Sequence, residues 1–225
     1  MVTSAPYSQK SAQMSWAELL PPTTMQRDGG TPGRRSWMPS MVAAKSLPKT
    51  WRGNIGKWEI VDGAVAGTEI TDQKHQAVLR RPLAFTDVVI AFSFRLDKSR
   101  QISLSINDAK EHVCRLIVNK TGFTVQKDDH DHDGPDKAVV FARVPMTIAA
   151  GEWHTAVVEI RGEEMVAQID DASHVGFGAH ELLNRPKANF GFTAAAGTAE
   201  FKDVKVWEAK PRADWAQTKA RLKTK

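Results

Sequence analysis

Two polar clusters carry residue types from which a site can be built. The first, Asp128-Asp129-His130-Asp131-His132-Asp133-Gly134-Pro135-Asp136, puts five acidic residues and two histidines within nine positions. Carboxylate oxygens and imidazole nitrogens are ligand types for calcium, zinc or manganese, and His130 and His132 share one face if the chain is extended. Asp128, His130, Asp131, His132 and Asp133 are therefore candidate ligands for a divalent cation. The run lacks the terminal bidentate glutamate of an EF-hand loop, and no distant ligand at fixed spacing accompanies it, so a solvated acidic loop is the alternative. The second cluster is Asn107, Asp108, Lys110, Glu111 and His112, in a turn between two strand-like runs. Asp108, Glu111 and His112 have the chemistry for proton transfer. Asn and Asp also favour turns for backbone reasons alone, which leaves a capped hairpin as the competing reading.

The elements that must hold these clusters read as strands. Lys57 to Val61, the turn Asp62-Gly63, and Ala64 to Glu69 predict a tight hairpin, because Asp-Gly supplies positive φ angles. In the run Asp87 to Leu96, Val88, Ile90, Phe92, Phe94 and Leu96 alternate with smaller or more polar neighbours, which predicts a central strand. Ile102, Leu104 and Ile106 repeat the period, with Ser103 and Ser105 on the opposite side. Further strands are expected at 77–80, 112–119, 123–127, 139–141, 153–161, 165–170, 189–194 and 201–208. About a dozen strands joined by short turns, with no long amphipathic helix among them, predict an all-β antiparallel two-sheet sandwich at residues 51–208. Residues 1–50 are rich in Ser, Thr, Pro and Gly and read as a low-order extension, with one helical turn or docking peptide at 15–20. Residues 209–225 form a basic tail with a short helix expected at 214–222.

Composition excludes several classes. The net charge of +5 draws much of its excess from the two terminal segments, and no zinc-finger spacing, phosphate loop or RNA-binding aromatic motif is present, so no nucleic-acid partner is expected. No apolar run approaches the roughly 20 residues needed to cross a bilayer, and residues 1–25 contain no recognisable export signal. Cys114 is the only cysteine and sits in an alternating strand, where it reads as a small core residue. No Ser-His-Asp grouping can be assembled, and His154, His174 and His180 read as polar surface residues.

The segment from Trp51 to Glu69, containing Trp58-Glu59-Ile60-Val61-Asp62-Gly63-Ala64-Val65-Ala66-Gly67, resembles the opening of the 3-keto-disaccharide hydrolase-like (3-keto-glucoside lyase/hydratase) domain family. Gly151-Glu152-Trp153-His154 is similar to that family's late turn, and Ala199 to Val206 to its final strand. The resemblance spans residues 50–208. It implies a concanavalin-A-like jelly roll, a carbohydrate ligand and an extracytoplasmic protein of a kind abundant in planctomycete bacteria. Enzymatic members carry an Asn-Ser-Gly segment near the middle, where this chain reads Ser103-Leu104-Ser105-Ile106-Asn107-Asp108, so no catalytic residue transfers by position. Elimination on a 3-keto sugar needs a base, a group that stabilises the enolate and an acid for the leaving oxygen. The expectation is a carbohydrate-recognising domain, as a hydrolase or lyase or else as a non-catalytic binding or adhesion module. Trp51, Trp58, Trp153 and Trp207 are candidates for stacking on a sugar ring, although the last three, in or beside strands, read first as core.

Overall fold

The computed structural model describes residues 25–26, 35–36, 46–211 and 213–223. In chain order the strands are β1 (Met25–Gln26), β2 (Arg35–Ser36), β3 (Arg52–Ile55), β4 (Lys57–Val61), β5 (Ala64–Thr68), β6 (Ala77–Phe85), β7 (Val88–Leu96), β8 (Gln101–Asn107) and β9 (His112–Asn119). They continue with β10 (Gly122–Lys127), β11 (Val139–Pro145), β12 (Trp153–Arg161), β13 (Glu164–Ile169), β14 (Val175–Ala179), β15 (Lys187–Ala195), β16 (Thr198–Glu208) and β17 (Lys210–Pro211), followed by helix α1 (Trp215–Lys223). Two large antiparallel sheets result, one in the order β11-β10-β9-β8-β15-β6-β3 and the other β14-β13-β12-β7-β16-β5-β4 with β2 also on β16, beside a small β1-β17 pair. This is the expected jelly-roll sandwich, with β7 in the middle of its sheet as its alternation predicts.

Period-two patterning decides which side chains face the sandwich interior. Val88, Ile90, Phe92, Phe94 and Leu96 of β7 all enter the main core, whereas Val89 and Ala91 join a small outer cluster with Val157, Ala209 and Trp207. The opposing sheet contributes Phe190 and Phe192 of β15, and Phe192 crosses the interface, stacking on Phe201 of β16 at 4.6 Å and lying 4.9 Å from Phe92 of β7. Trp51 closes this group at 5.9 Å from Phe192. Each such ring removes enough apolar surface from water to contribute about 1.5–3 kcal/mol.

The turns follow the local chemistry. Asp62 and Gly63 adopt φ of 48° and 77° and join Val61 to its partner Ala64, as the Asp-Gly pair predicts. Strands β3 and β14 were not visible as periodic runs, being short and Gly-bearing. Helix α1 forms where the tail predicted one. Trp215 Nε1 donates to Glu164 Oε2 at 2.6 Å, Lys219 pairs with the same carboxylate, and the Trp215 ring meets Phe177 at 5.8 Å, which docks the helix beside β13 and β14.

The low-order reading of residues 1–50 and the helical turn at 15–20 fall almost wholly outside the described residues. Two short stretches within that segment do pair, β1 with β17 and β2 with β16. Among the described residues no helix is long and apolar enough to cross a membrane.

The aromatic contact across the sheets gives a direct test. Phe192→Ala opens a cavity that two rigid sheets cannot collapse into, and is expected to lower unfolding free energy by about 3–5 kcal/mol in a urea titration.

Candidate functional site

The outer face of the seven-stranded sheet is built from three cross-strand rows. Register places Arg52, Arg80, Gly191, Ser105, Arg115 and Gln126 in one row across β3, β6, β15, β8, β9 and β10. The row on one side holds Pro82, Asn189, Asn107 and His112. The row on the other holds Val78, Thr193, Ser103, Ile117, Thr124 and Arg143. The central strands β15 and β8 therefore present only small or amide side chains, and longer ones rise on β6 and β9. Ser103, Ser105, Asn107 and Thr193 are 2–6% exposed at the bottom of this trough, while Arg80, Arg115 and His112 are half-buried. At Gly191 a Cβ would stand 2.2 Å from the Leu79 carbonyl oxygen, so the strand pairing itself requires glycine there.

Many of these side chains are hydrogen-bonded to one another across the strands. Ser105 Oγ donates to Asn107 Oδ1 at 2.9 Å, and His112 Nδ1 meets the same oxygen at 2.5 Å. Asn107 Nδ2 donates to Asn189 Oδ1 at 2.7 Å, and Arg80 Nη1 reaches that oxygen at 3.3 Å. Ser103 and Thr193 bond through their hydroxyls at 2.7 Å. Beyond Arg115, Gln126 Nε2 donates to Asp128 Oδ1 at 2.8 Å. Arg115 Nε lies 3.0 Å from Asp128 Oδ2, but its N–H is not aimed at that oxygen, so the contact is an ion pair without an aligned hydrogen bond.

At the rim the two polar clusters of the sequence meet. His130 Nε2 sits 2.7 Å from Asp108 Oδ2, and His132 Nε2 sits 2.8 Å from Glu111 Oε2. Arg185, which sequence reasoning missed, donates from Nη1 to Asp108 Oδ2 at 2.9 Å. It follows the short turn Glu181–Leu183, and no periodic signal marks it. Burial raises the Asp108 carboxyl, but the Glu111 and Lys110 backbone N–H groups, His130 and Arg185 outweigh it and hold the group well below the usual carboxylate range. Burial likewise raises the Glu111 carboxyl, but His132 and the His112 N–H outweigh it and lower the group. His132 is raised by the same Glu111 contact. His112 is pushed down to about 4, first by burial and then by the Arg115 and Arg80 charges. Burial pushes Asp128 up, against the pull of Arg115.

The metal expectation for Asp128, His130, Asp131, His132 and Asp133 is not what the geometry assembles. Asp128 faces Arg115 and Gln126, and the two histidines point at different carboxylates of the facing hairpin. Much of the loop's acidity closes the loop on itself. Asp129 Oδ1 accepts from the His132 N–H at 2.9 Å, Asp131 Oδ2 from the Asp136 N–H at 3.1 Å, and Asp136 Oδ2 from the His130 N–H at 3.1 Å. Lys127, whose side chain is wholly buried, pairs with Asp136 and donates to the Lys137 carbonyl at 2.7 Å. Among the described residues no group of three or more His, Cys, Asp or Glu is arranged to hold a metal ion. Asp108, Glu111 and His112 do lie together, with Asp108 Oδ1 also capping the Lys110 and Glu111 N–H groups at 2.8 Å, as the hairpin alternative predicts.

The aromatic candidates lie elsewhere. Trp51, at 5% exposure, is core, and Trp58 packs on Phe201 at 6.2 Å. Trp153 lies on the other sheet beneath Arg95 and Lys202, and Trp207 packs on the small outer cluster. Cys114 is fully buried, and burial drives its thiol far up, as a core residue should be. His154 departs from the surface reading: it is 8% exposed, with Nδ1 2.7 Å from Asp170 Oδ2.

Clefts border the sandwich. One of about 250 Å³ is lined by Asp136, His180, Glu181, Leu182 and Arg185, beside the rim cluster. A larger one of about 570 Å³ lies on the other sheet, between the β12–β13 turn and helix α1, away from the polar ladder.

No family model matches the chain, and no curated protein matches it. Solved structures match in fold. The chain is similar to the carbohydrate-binding module CBM66 from Bacillus subtilis at 14% identity and a TM-score of 0.57, covering 72% of this chain and 96% of that one. It is similar to Crh5 transglycosylase without ligand at 12% identity and TM-score 0.60, covering 77% and 84%. SCLam, a non-specific endo-beta-1,3(4)-glucanase from family GH16, matches at 9% identity and TM-score 0.54, covering 77% and 89%. At these identities the likeness is one of fold.

The lowered His112 sets a pH dependence. An unfolded imidazole binds its proton near pH 6.5, whereas the folded one does so only near pH 4, so the unfolded state holds more protons between these values. Stability is expected to fall as pH drops through that window, by about 1–2 kcal/mol after allowance for screening of a half-buried ring. Urea titrations at pH 7, 5.5 and 4 should show this slope in the wild type and a shallower one in His112→Gln.

Proposed function

We propose that this chain is a carbohydrate-recognising domain whose sugar-binding surface is the outer face of the seven-stranded sheet. The observation that carries this reading is the ladder of hydroxyl and amide groups on β8 and β15, flanked by longer polar side chains on β6 and β9. Sugars present arrays of hydroxyls that both donate and accept, and Ser, Thr and Asn are matched to both roles. The fold is also similar to those of a carbohydrate-binding module, a transglycosylase and a glucanase. An extracytoplasmic location accords with a polysaccharide ligand and with the family that the opening hairpin resembles.

A second reading is a hydrolase or lyase of the 3-keto-disaccharide hydrolase-like family, with Asp108, Glu111 and His112 as its working groups. It is favoured by the convergence of these residues with His130, His132 and Arg185 next to the smaller cleft. Against it, Asp108 and Glu111 are each paired with a histidine and held in the charged form, so neither is a ready proton donor. The three rows of the sheet face hold no carboxylate, whereas glycoside hydrolysis by the common route needs two. The binding module is the stronger reading.

Electrophoresis of the folded chain through gels containing glucans, mannans, galactans and acidic polysaccharides should show retardation by at least one polymer. Asn189→Ala, which breaks the ladder between Arg80 and Asn107, is expected to weaken that interaction about tenfold, or 1.4 kcal/mol. Unretarded migration in every gel would sink the proposal. Release of reducing ends or of a 3-keto sugar from a glycoside, lost in Glu111→Gln, would favour the enzyme.

A further inference from the structure

We infer that the sugar this face takes is acidic, and that a uronate carboxylate is held between Arg80 and Arg115 above the floor formed by Gly191 and Ser105. The inference rests on the carbohydrate-binding reading and deepens it.

Charge distribution is the first observation. In the three rows of the outer face every formally charged side chain is an arginine: Arg52, Arg80, Arg115 and Arg143, with no lysine and no carboxylate. The opposite sheet differs, with Lys57 paired to Glu59, Arg95 to Glu200 and Lys219 to Glu164. The nearest acids to the arginine row lie at its margin: Asp128, ion-paired with Arg115 of the row itself, and Glu111, engaged by His132.

Geometry is the second. Arg80 and Arg115 occupy one row and are separated by two strands, which at about 4.8 Å per strand step sets their Cα atoms about 14 Å apart. The two intervening positions are Gly191 and Ser105, the smallest side chains on the face. The Cα separation leaves room for a single pyranose ring over Gly191 and Ser105, with Arg80 on one side, reaching over β15 to Asn189, and Arg115 on the other, beside Asp128. The planar fork of arginine matches a carboxylate in a bidentate contact.

Third, neither cation makes a close, aligned hydrogen bond to a carboxylate, although Arg115 is ion-paired with Asp128. The hydrogen bond from the Arg80 side chain is one contact at 3.3 Å, to a neutral amide oxygen. Arg115 Nε is buried without an aligned hydrogen bond, as is Asp128 Oδ2 opposite it. Burial and the neighbouring Arg115 charge lower the Arg80 pKa, and the Glu111 charge offsets them only in part. A bound carboxylate relieves that repulsion and gives the Arg80 guanidinium a charged acceptor beside its single long contact to the Asn189 amide. Asn189 and Asn107 beside it then contact ring hydroxyls, which gives the same face both charge and hydroxyl recognition.

The test is calorimetric titration of the full chain at low salt with three hexasaccharides: a neutral β-1,3-glucan, a uronate homopolymer and a sulfated galactan. The uronate is expected to bind at least about tenfold more tightly than the neutral hexamer, with a preference that shrinks as salt is raised. Arg80→Gln should bring uronate affinity down to that of the neutral hexamer. Arg80→Lys, which keeps the charge and loses the fork, should recover only part of the preference, and circular dichroism verifies the fold of both variants. Equal affinities for neutral and uronate hexamers would overturn the inference and leave sugar binding intact. A preference for the sulfated hexamer would overturn it in favour of sulfate. A uronate preference that survives both substitutions would overturn it as well, assigning the effect to the basic termini. Failure of the folded protein to bind any hexamer would remove the carbohydrate reading together with this one.

Discussion

The constraint on which this structure rests is the period of two in a β-strand. A strand that sends Phe190 and Phe192 into the core must present Asn189, Gly191 and Thr193 on its other side, and β8 does the same with Leu104 and Ile106 against Ser105 and Asn107. The inner faces bury aromatic and branched side chains and hold the two sheets together. The outer face of the seven-stranded sheet is thereby given a fixed lattice of positions. The packing that secures the fold also sets the spacing of the Arg80, Asn107, Asn189 and Arg115 side chains, so the recognition surface inherits the rigidity of the core.

The rim depends on a different interaction. Lys127 faces inward from the end of β10, where its ammonium has no access to water, and a cation in that position needs compensation. Asp136 and the Lys137 carbonyl provide it, which draws the far end of the loop back to β10. The loop between them is closed further by aspartate oxygens capping backbone N–H groups. The shape that follows sets His130 against Asp108 and His132 against Glu111. Asp129, Asp131 and Asp136, which look like part of a metal-binding signal in the sequence, are engaged in holding the loop's own backbone and its buried lysine.

Much of the sandwich was legible because alternation and turn chemistry are local. The Asp62-Gly63 hairpin, the central place of β7 and the inward set on β8 follow from side chains a few positions apart. Strand β14, Val-Gly-Phe-Gly-Ala, was not legible. Its glycines carry no hydrophobic signal, and a Cβ at Gly178 would stand 2.1 Å from the Phe141 ring of the facing strand. Trp51 looked like an available ring because it precedes the first clear strand, and only packing against Phe190 and Phe192 turned it into core.

The sequence by itself determined the two-sided character of each strand, the positions of the sharp turns, and the two polar loops rich in Asp and His. Those properties arise between residues near one another in the chain. Tertiary structure alone decided that the 107–112 turn and the 128–136 loop meet, that Arg185 joins them from across the fold, and that Arg80, Gly191, Ser105 and Arg115 share one row. These associations span up to 111 positions between Arg80 and Gly191. They exist because hydrogen-bonded register, rather than sequence distance, sets which residues lie side by side in a sheet.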